Sequence, residues 1–171
     1  MQDESLLCEL GGCSVAVGGL EIASFSTPHD SVGSLGFTVT TPKGVRAGVA
    51  TDLGVVTEKI AQSLTGCDLV LLESNYDEAM LKAGGYPYYL KRRILSENGH
   101  LSNDSCGELA VRLAQSGTTR FVLGHLSKEN NFPDLAYQTT LSFLAAAGLK
   151  ENFDFKLAVA PRSCVLTPIL L

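Results

Sequence analysis

Two short runs, residues 68–72 (Asp-Leu-Val-Leu-Leu) and 119–123 (Thr-Arg-Phe-Val-Leu), constrain the fold of this chain more than any other feature. Each closes on consecutive apolar residues instead of alternating, and each follows a stretch with helical periodicity. A strand that is apolar on both faces has to be covered on both faces. Parallel sheets flanked by helices provide that cover. The two runs are therefore expected to be neighbouring buried strands of one sheet.

The rest of the chain divides around them. Residues 14–17 and 20–26 read as strands separated by Gly18-Gly19, a hairpin signal. Residues 35–40 and 45–50 flank Pro42-Lys43-Gly44, a second hairpin. The period then changes. Ile60, Ala61 and Leu64 mark a helix over 57–64 that Gly66 closes. Short helices are expected at 76–83, before Gly84-Gly85, and at 88–97, before Asn98-Gly99. Ser105 and Glu108 have capping-box spacing and open a helix through Leu113. Pro133 suits the start of a helix over 134–147, closed by Gly148, and 155–160 and 165–170 read as final strands. Nothing reads as a linker, so residues 1–171 are expected to form one α/β domain: hairpins first, then alternating helix and strand.

Composition narrows the function classes. A chain of 171 residues can bury about 70% of its unfolded surface. With 45% apolar and 18% charged residues, it reads as globular and not disordered. No apolar stretch reaches the roughly 18 residues of a spanning helix. The start, Met1-Gln-Asp-Glu-Ser, carries two acids and no base, which does not suit a signal peptide. The five cysteines form no Cys-x-x-Cys pair, so free thiols and a cytoplasmic location are expected. The net charge of −5 argues against wrapping nucleic acid through bulk charge; any such contact has to be local.

Only three histidines are present, His29, His100 and His125. Two of them lie in a short repeat: Gly99-His100-Leu101-Ser102 recurs as Gly124-His125-Leu126-Ser127. His29, Asp52 and His125 each follow an expected strand, where α/β folds place functional side chains. Imidazole and carboxylate together suit a borderline cation such as zinc or manganese. Plainer readings stand beside this one. Asp52 suits a helix N-cap, and His100 and His125 suit organising the helix starts beside Ser102 and Ser127. Glu73 and Asp77 flank Asn75 after a buried strand and suit either lining a site or capping the next helix. Asn130-Asn131 suits fixing the His125 loop, holding a substrate, or capping the last helix. Residues 86–93, Tyr-Pro-Tyr-Tyr-Leu-Lys-Arg-Arg, mix aromatics and bases. They fit contacts to phosphates and bases, or a solvated helix face with half-buried tyrosines.

Five segments occur in order: Thr27-Pro-His-Asp30, Ala50-Thr-Asp-Leu-Gly54, Leu71-Leu-Glu-Ser-Asn-Tyr-Asp77, Ile94-Leu-Ser-Glu-Asn-Gly-His-Leu-Ser-Asn103 and Leu123-Gly-His-Leu-Ser-Lys-Glu-Asn-Asn131. Together they resemble the metallo-β-lactamase fold, in its YycJ/WalJ branch, which is related to tRNase Z and RNase J. The resemblance covers the chain from about residue 13 to its end. It implies the C-terminal part of an αββα sandwich with two divalent ions, zinc or manganese, in its cleft. It further implies a phosphodiesterase or nuclease, leading to a 5′-to-3′ DNA exonuclease. By the same resemblance His29 and His125 match metal ligands and Asp52 the bridging carboxylate. His100 resembles the histidine beside the scissile phosphate that donates a proton or stabilises charge.

The branch's upstream His-x-His-x-Asp-His motif is not in this chain. Three ligands for two ions imply an incomplete site and a sheet face without its cover. The expected partners follow: nucleic acid, DNA before RNA, for the complete enzyme; no membrane; and a homodimer or an N-terminal half against the open face. The alternative is an inactive fragment or interaction module that keeps the fold only.

Overall fold

The computed structural model describes residues 14–165. Strands β1 (Ser14–Val17), β2 (Leu20–Ser26), β3 (Leu35–Thr40) and β4 (Arg46–Ala50) pair antiparallel in succession. Gly18 and Gly19 join β1 to β2 at φ 57° and 81°, the left-handed region that a two-residue hairpin turn requires. Beyond β4 the pairing becomes parallel through β5 (Leu69–Glu73), β6 (Arg120–Gly124) and β7 (Lys156–Val159). Parallel strands need crossovers, and helices supply them. Helix α1 (Glu58–Leu64) joins β4 to β5. Helices α2 (Glu78–Ala83), α3 (Tyr88–Ile94) and α4 (Asn103–Gln115) join β5 to β6, and α5 (Pro133–Ala146) joins β6 to β7. The seven strands form one sheet in chain order. The two apolar runs are neighbours: Val70 pairs with Phe121 and Leu72 with Leu123.

Several element bounds differ from the sequence expectation, for local reasons. Helix α2 starts at Glu78 because Asp77 caps it, accepting from the Met80 N–H at 2.8 Å. Helix α3 stops at Ile94 because the chain turns back there, His100 N–H donating to the Ile94 carbonyl at 3.1 Å. Helix α4 is capped by Ser102, whose Oγ accepts from the Ser105 N–H at 3.1 Å. Ser105 therefore lies inside the helix and is not its cap. Thr57, not Asp52, caps α1. The last helix is preceded by Phe132, whose N–H donates to Asn131 Oδ1 at 3.0 Å. Of the strand expected at 165–170, residues 166–170 lie outside the described residues, and Val165 belongs to no strand. Cys67, Cys106 and Cys164 are free thiols, the first two buried; Cys8 and Cys13 lie outside the described residues. No helix among the described residues is long and apolar enough to cross a membrane.

One face of the sheet carries the core. Ile60 and Leu64 of α1, Leu109 and Leu113 of α4 and Ala136 and Leu144 of α5 pack in one cluster with Val70, Leu72, Phe121, Leu123 and Leu157. A Cβ on Gly48 would meet Leu64 at 2.6 Å, so β4 turns this residue toward the helices. By strand alternation the row Phe37, Val49, Leu71, Val122 and Ala158, paired across five strands, turns the other way. Val49 is 40% exposed on that side. The described chain is thus a sheet with helices on one face and an apolar row on the other.

Candidate metal centre

Topology gathers the functional side chains. Strand β2 is antiparallel to β3, and β3 to β4, so β2 runs in the same direction as β4, β5 and β6. The C-terminal ends of these four strands therefore share one edge of the sheet. His29 follows β2, Asp52 follows β4, Glu73 ends β5 and His125 follows β6. His100 reaches the same edge from the turn between α3 and α4. Asp52 and His125 both adopt φ 55°. This left-handed conformation is uncommon for residues other than glycine and clusters at functional sites. Here it swings each side chain over the edge of its strand.

The side chains converge. Asp52 Oδ1 lies 3.5 Å from His29 Nε2 and 3.8 Å from His125 Nδ1. The His100 ring stands between the other two, with centroids 4.9 Å from His29 and 5.3 Å from His125. Donor atoms of His29, Asp52 and His100 lie within 4.8 Å of one another, as do those of Glu73, His100 and His125.

The hydrogen bonds determine what these groups present. Glu73 is fully buried. Its Oε1 accepts from His100 Nδ1 at 2.7 Å and from His125 Nδ1 at 2.8 Å, and its Oε2 accepts from the Leu53 N–H at 2.9 Å. Burial alone raises the Glu73 carboxyl, but the bonds from His100, His125 and Leu53 outweigh it and hold the group below its ordinary value. Donating that bond to Glu73 raises His125, against the opposing effect of burial. A carboxylate has no proton to give, so Nδ1 of both rings must carry hydrogen. His29 Nδ1 faces the Gly99 carbonyl at 2.8 Å, which likewise only accepts. All three histidines are thereby held in the tautomer that leaves Nε2 as the free donor. Metal-ligating histidines are oriented in this way. Three imidazole nitrogens and the Asp52 carboxylate suit a divalent cation of the zinc class.

Close packing holds the loops in register. Gly54 N–H donates to the Pro28 carbonyl at 2.9 Å, and Asp30 N–H to the Asn98 carbonyl at 3.0 Å. A Cβ on Gly54 would fall 2.4 Å from the Ser96 and Glu97 carbonyl oxygens, and one on Gly99 would fall 2.1 Å from that of Ile94. Arg93 makes a two-point ion pair with Asp30, one arm at 2.8 Å, and holds that carboxyl down at about 2. Beneath the site, Asn131 Nδ2 donates to the Ser74 carbonyl at 2.8 Å and to Asn103 Oδ1 at 2.8 Å, while Asn75 Nδ2 donates to the His125 carbonyl at 2.7 Å. This buried network ties the three loops after β5, before α4 and after β6. Asn131 thus fixes the His125 loop, one of the uses open to it from sequence. A cavity of about 560 Å³ opens beside His125, lined in part by Lys128, Phe132 and Arg162.

His29, Asp52, His100 and His125 stand out in the sequence, and the structure brings all four together. The part played by Glu73 does not stand out there. The available signal was an acid ending an otherwise apolar buried strand, where only a partner of opposite polarity makes burial tolerable. His100, matched by resemblance to the histidine beside the scissile phosphate, stands within the cluster, in the same tautomer as His125.

Comparison with known proteins bears on the family and the fold. Residues 9–126 match the description "Beta-lactamase superfamily domain". The exodeoxyribonuclease WalJ of Streptococcus pneumoniae serotype 2 (strain D39 / NCTC 7466) is 38% identical over 146 residues, 85% of this chain and 54% of that protein. The exodeoxyribonuclease YycJ of Bacillus anthracis is 31% identical over 140 residues, 82% of this chain and 53% of that protein. The chain spans about half the length of these curated relatives. The crystal structure of the metallo-β-lactamase fold protein YhfI from Bacillus subtilis is similar with a TM-score of 0.64 and 16% identity, over 91% of this chain and 53% of that one.

Proposed function

Since the chain belongs to the metallo-β-lactamase superfamily, a divalent-metal fold, we propose that it is the C-terminal part of a metal-dependent phosphodiesterase that acts on nucleic acid, DNA before RNA. The relatives named exodeoxyribonucleases support this substrate class. The observation that carries the reading is the convergence of His29, Asp52, His100 and His125 over buried Glu73.

His29, Asp52 and His125 would hold the divalent metal, zinc or manganese. When bound, the metal supplies Lewis-acid polarisation of a phosphoryl oxygen and a hydroxide nucleophile at neutral pH. The residues of this chain do the rest. Glu73 fixes two rings so that Nε2 faces the substrate side. His100 would face the scissile phosphate. Protonated at Nε2, it would give its proton to the leaving oxygen or neutralise charge developing there, with the Glu73 carboxylate behind it stabilising the imidazolium.

Three ligands are few for two ions, and an apolar sheet row faces away from the helices. Both features support an upstream half that carries His-x-His-x-Asp-His, covers the row and completes the site. The 171-residue chain alone is expected to retain at most one weakly held ion and to show no nuclease turnover. Metal analysis after dialysis, run beside digestion of labelled DNA and RNA with added zinc or manganese, tests this. Two tightly retained ions with clear digestion by the chain alone would overturn the incomplete-site reading. A completed protein that digests neither polymer would overturn the nuclease reading and leave an interaction module keeping the fold only. A homodimer in place of the upstream half would show as a doubled mass in solution.

A further inference from the structure

Helix α3 presents a surface that the metal centre does not use. Its inner side is anchored: Ile94 is buried, and Tyr86 and Leu90 pack with it against Tyr76 and Leu81. Its outer side carries Tyr88 and Tyr89, 76% and 74% exposed. Residues three and four apart are neighbours on a helix, so Arg92 lies beside both rings and Lys91 beside Tyr88. Arg93 is committed to Asp30, and Lys91 Nζ donates to the Lys82 carbonyl at 2.7 Å. Arg92 forms no ion pair with a carboxylate among the described residues. Of the three tyrosines in 86–93, Tyr86 is half-buried, while Tyr88 and Tyr89 are an exposed pair of rings with an uncommitted guanidinium next to them. On a chain of net charge −5 this is a local basic spot.

The helix is also tied to the metal centre. Its Arg93 holds the residue after His29, and its Ile94 carbonyl accepts from the His100 N–H. Tyr88 lies six residues up the helix from Ile94, about 9 Å along its axis. That is roughly the length of three stacked nucleotides at 3.4 Å each.

Resting on the nuclease reading, we propose that Tyr88, Tyr89 and Arg92 form a stacking platform for unpaired bases that holds single-stranded DNA leading to the site. Two aromatic faces with adjacent cations are what single-strand binding uses: rings stack bases without regard to sequence, and cations track phosphates. A duplex keeps its bases stacked on one another and offers the rings nothing. Both tyrosines are solvated in the free protein, so folding does not require them.

The test is fluorescence anisotropy of the 171-residue chain with a labelled oligothymidylate of about a dozen nucleotides, in EDTA so that neither metal nor turnover contributes. The double variant Tyr88→Ala/Tyr89→Ala should bind about a hundredfold weaker, since each of the two lost base stacks is worth about a factor of ten. Tyr88→Phe/Tyr89→Phe, which keeps both ring faces, should restore binding. Arg92→Gln should lower the slope of log affinity against log salt by about 0.7. A base-free strand of the same length should bind the wild type and the alanine variant equally. No measurable binding by the wild type, or equal binding of oligothymidylate by the wild type and the alanine variant, would overturn the platform. The nuclease reading stands or falls separately, on digestion by the completed protein.

Discussion

Glu73→Gln isolates the group that orders the metal centre. The carboxylate accepts three hydrogen bonds with no exposed surface: His100 and His125 at Oε1, and the Leu53 N–H at Oε2. Glutamine has almost the same shape but one oxygen and one NH₂. If its oxygen stays with the histidines, the NH₂ is pressed against the Leu53 N–H and a buried donor is left unsatisfied, at a cost of about 1–3 kcal/mol. Loss of a buried charge offsets part of that. The net destabilisation should be about 2 kcal/mol, lowering Tm by about 4–8 °C for a chain of this size. If the amide turns over, its NH₂ faces both rings, and the proton of each must move from Nδ1 to Nε2. That blocks the donors facing the site. Either orientation weakens the ordering of two histidines, and metal affinity should fall about 10–100-fold. Nitrogen-15 NMR of labelled histidine reads the tautomers without metal, thermal melting reads stability, and competition with a chelator reads affinity. Unchanged tautomers at His100 and His125 together with unchanged affinity would refute the argument that Glu73 sets them.

Three further outcomes follow from particular residues. In the completed protein, His100→Ala should lower turnover on labelled DNA more than it lowers retained metal; equal losses would make His100 a ligand and not the group facing the phosphate. Gly99→Ala puts a carbon 2.1 Å from the Ile94 carbonyl oxygen and displaces the carbonyl that orients His29; overpacking of this kind costs about 1–3 kcal/mol, and both Tm and metal retention should fall in parallel melts and dialysis assays. Tyr76 is held neutral up to about 12, first by burial and then by neighbouring Glu78. Because its folded value lies above the unfolded 10, stability is intact below pH 10 and is lost between pH 10 and 12, by up to about 3 kcal/mol; Tyr76→Phe should flatten that part of a Tm-against-pH curve.

Local pattern alone determined a good deal of this protein. Gly18-Gly19 and Pro42-Lys43-Gly44 mark turns because few residues adopt their backbone, and both hairpins stand where those signals lie. The runs that became β5 and β6 are apolar on both faces, so they had to be neighbours inside a covered sheet. Scarcity brought His29, His100 and His125 forward, since three histidines at strand ends and turns leave little else to hold a cation. The tertiary structure decided everything that depends on distance across the chain. Glu73 and Asp77 look alike in sequence, acids near the end of one strand, yet Asp77 caps α2 and Glu73 orders two histidines 27 and 52 residues away. Ser105 has capping-box spacing with Glu108, yet the chain's path makes Ser102 the cap. The exposure of Tyr88 and Tyr89 depends on which side of α3 finds the Tyr76–Leu81 cluster. Propensity and period act over a few residues and can be read along a chain. Burial and hydrogen-bond partnership are set by which strand ends the sheet brings to one edge, and that is a property of the whole fold.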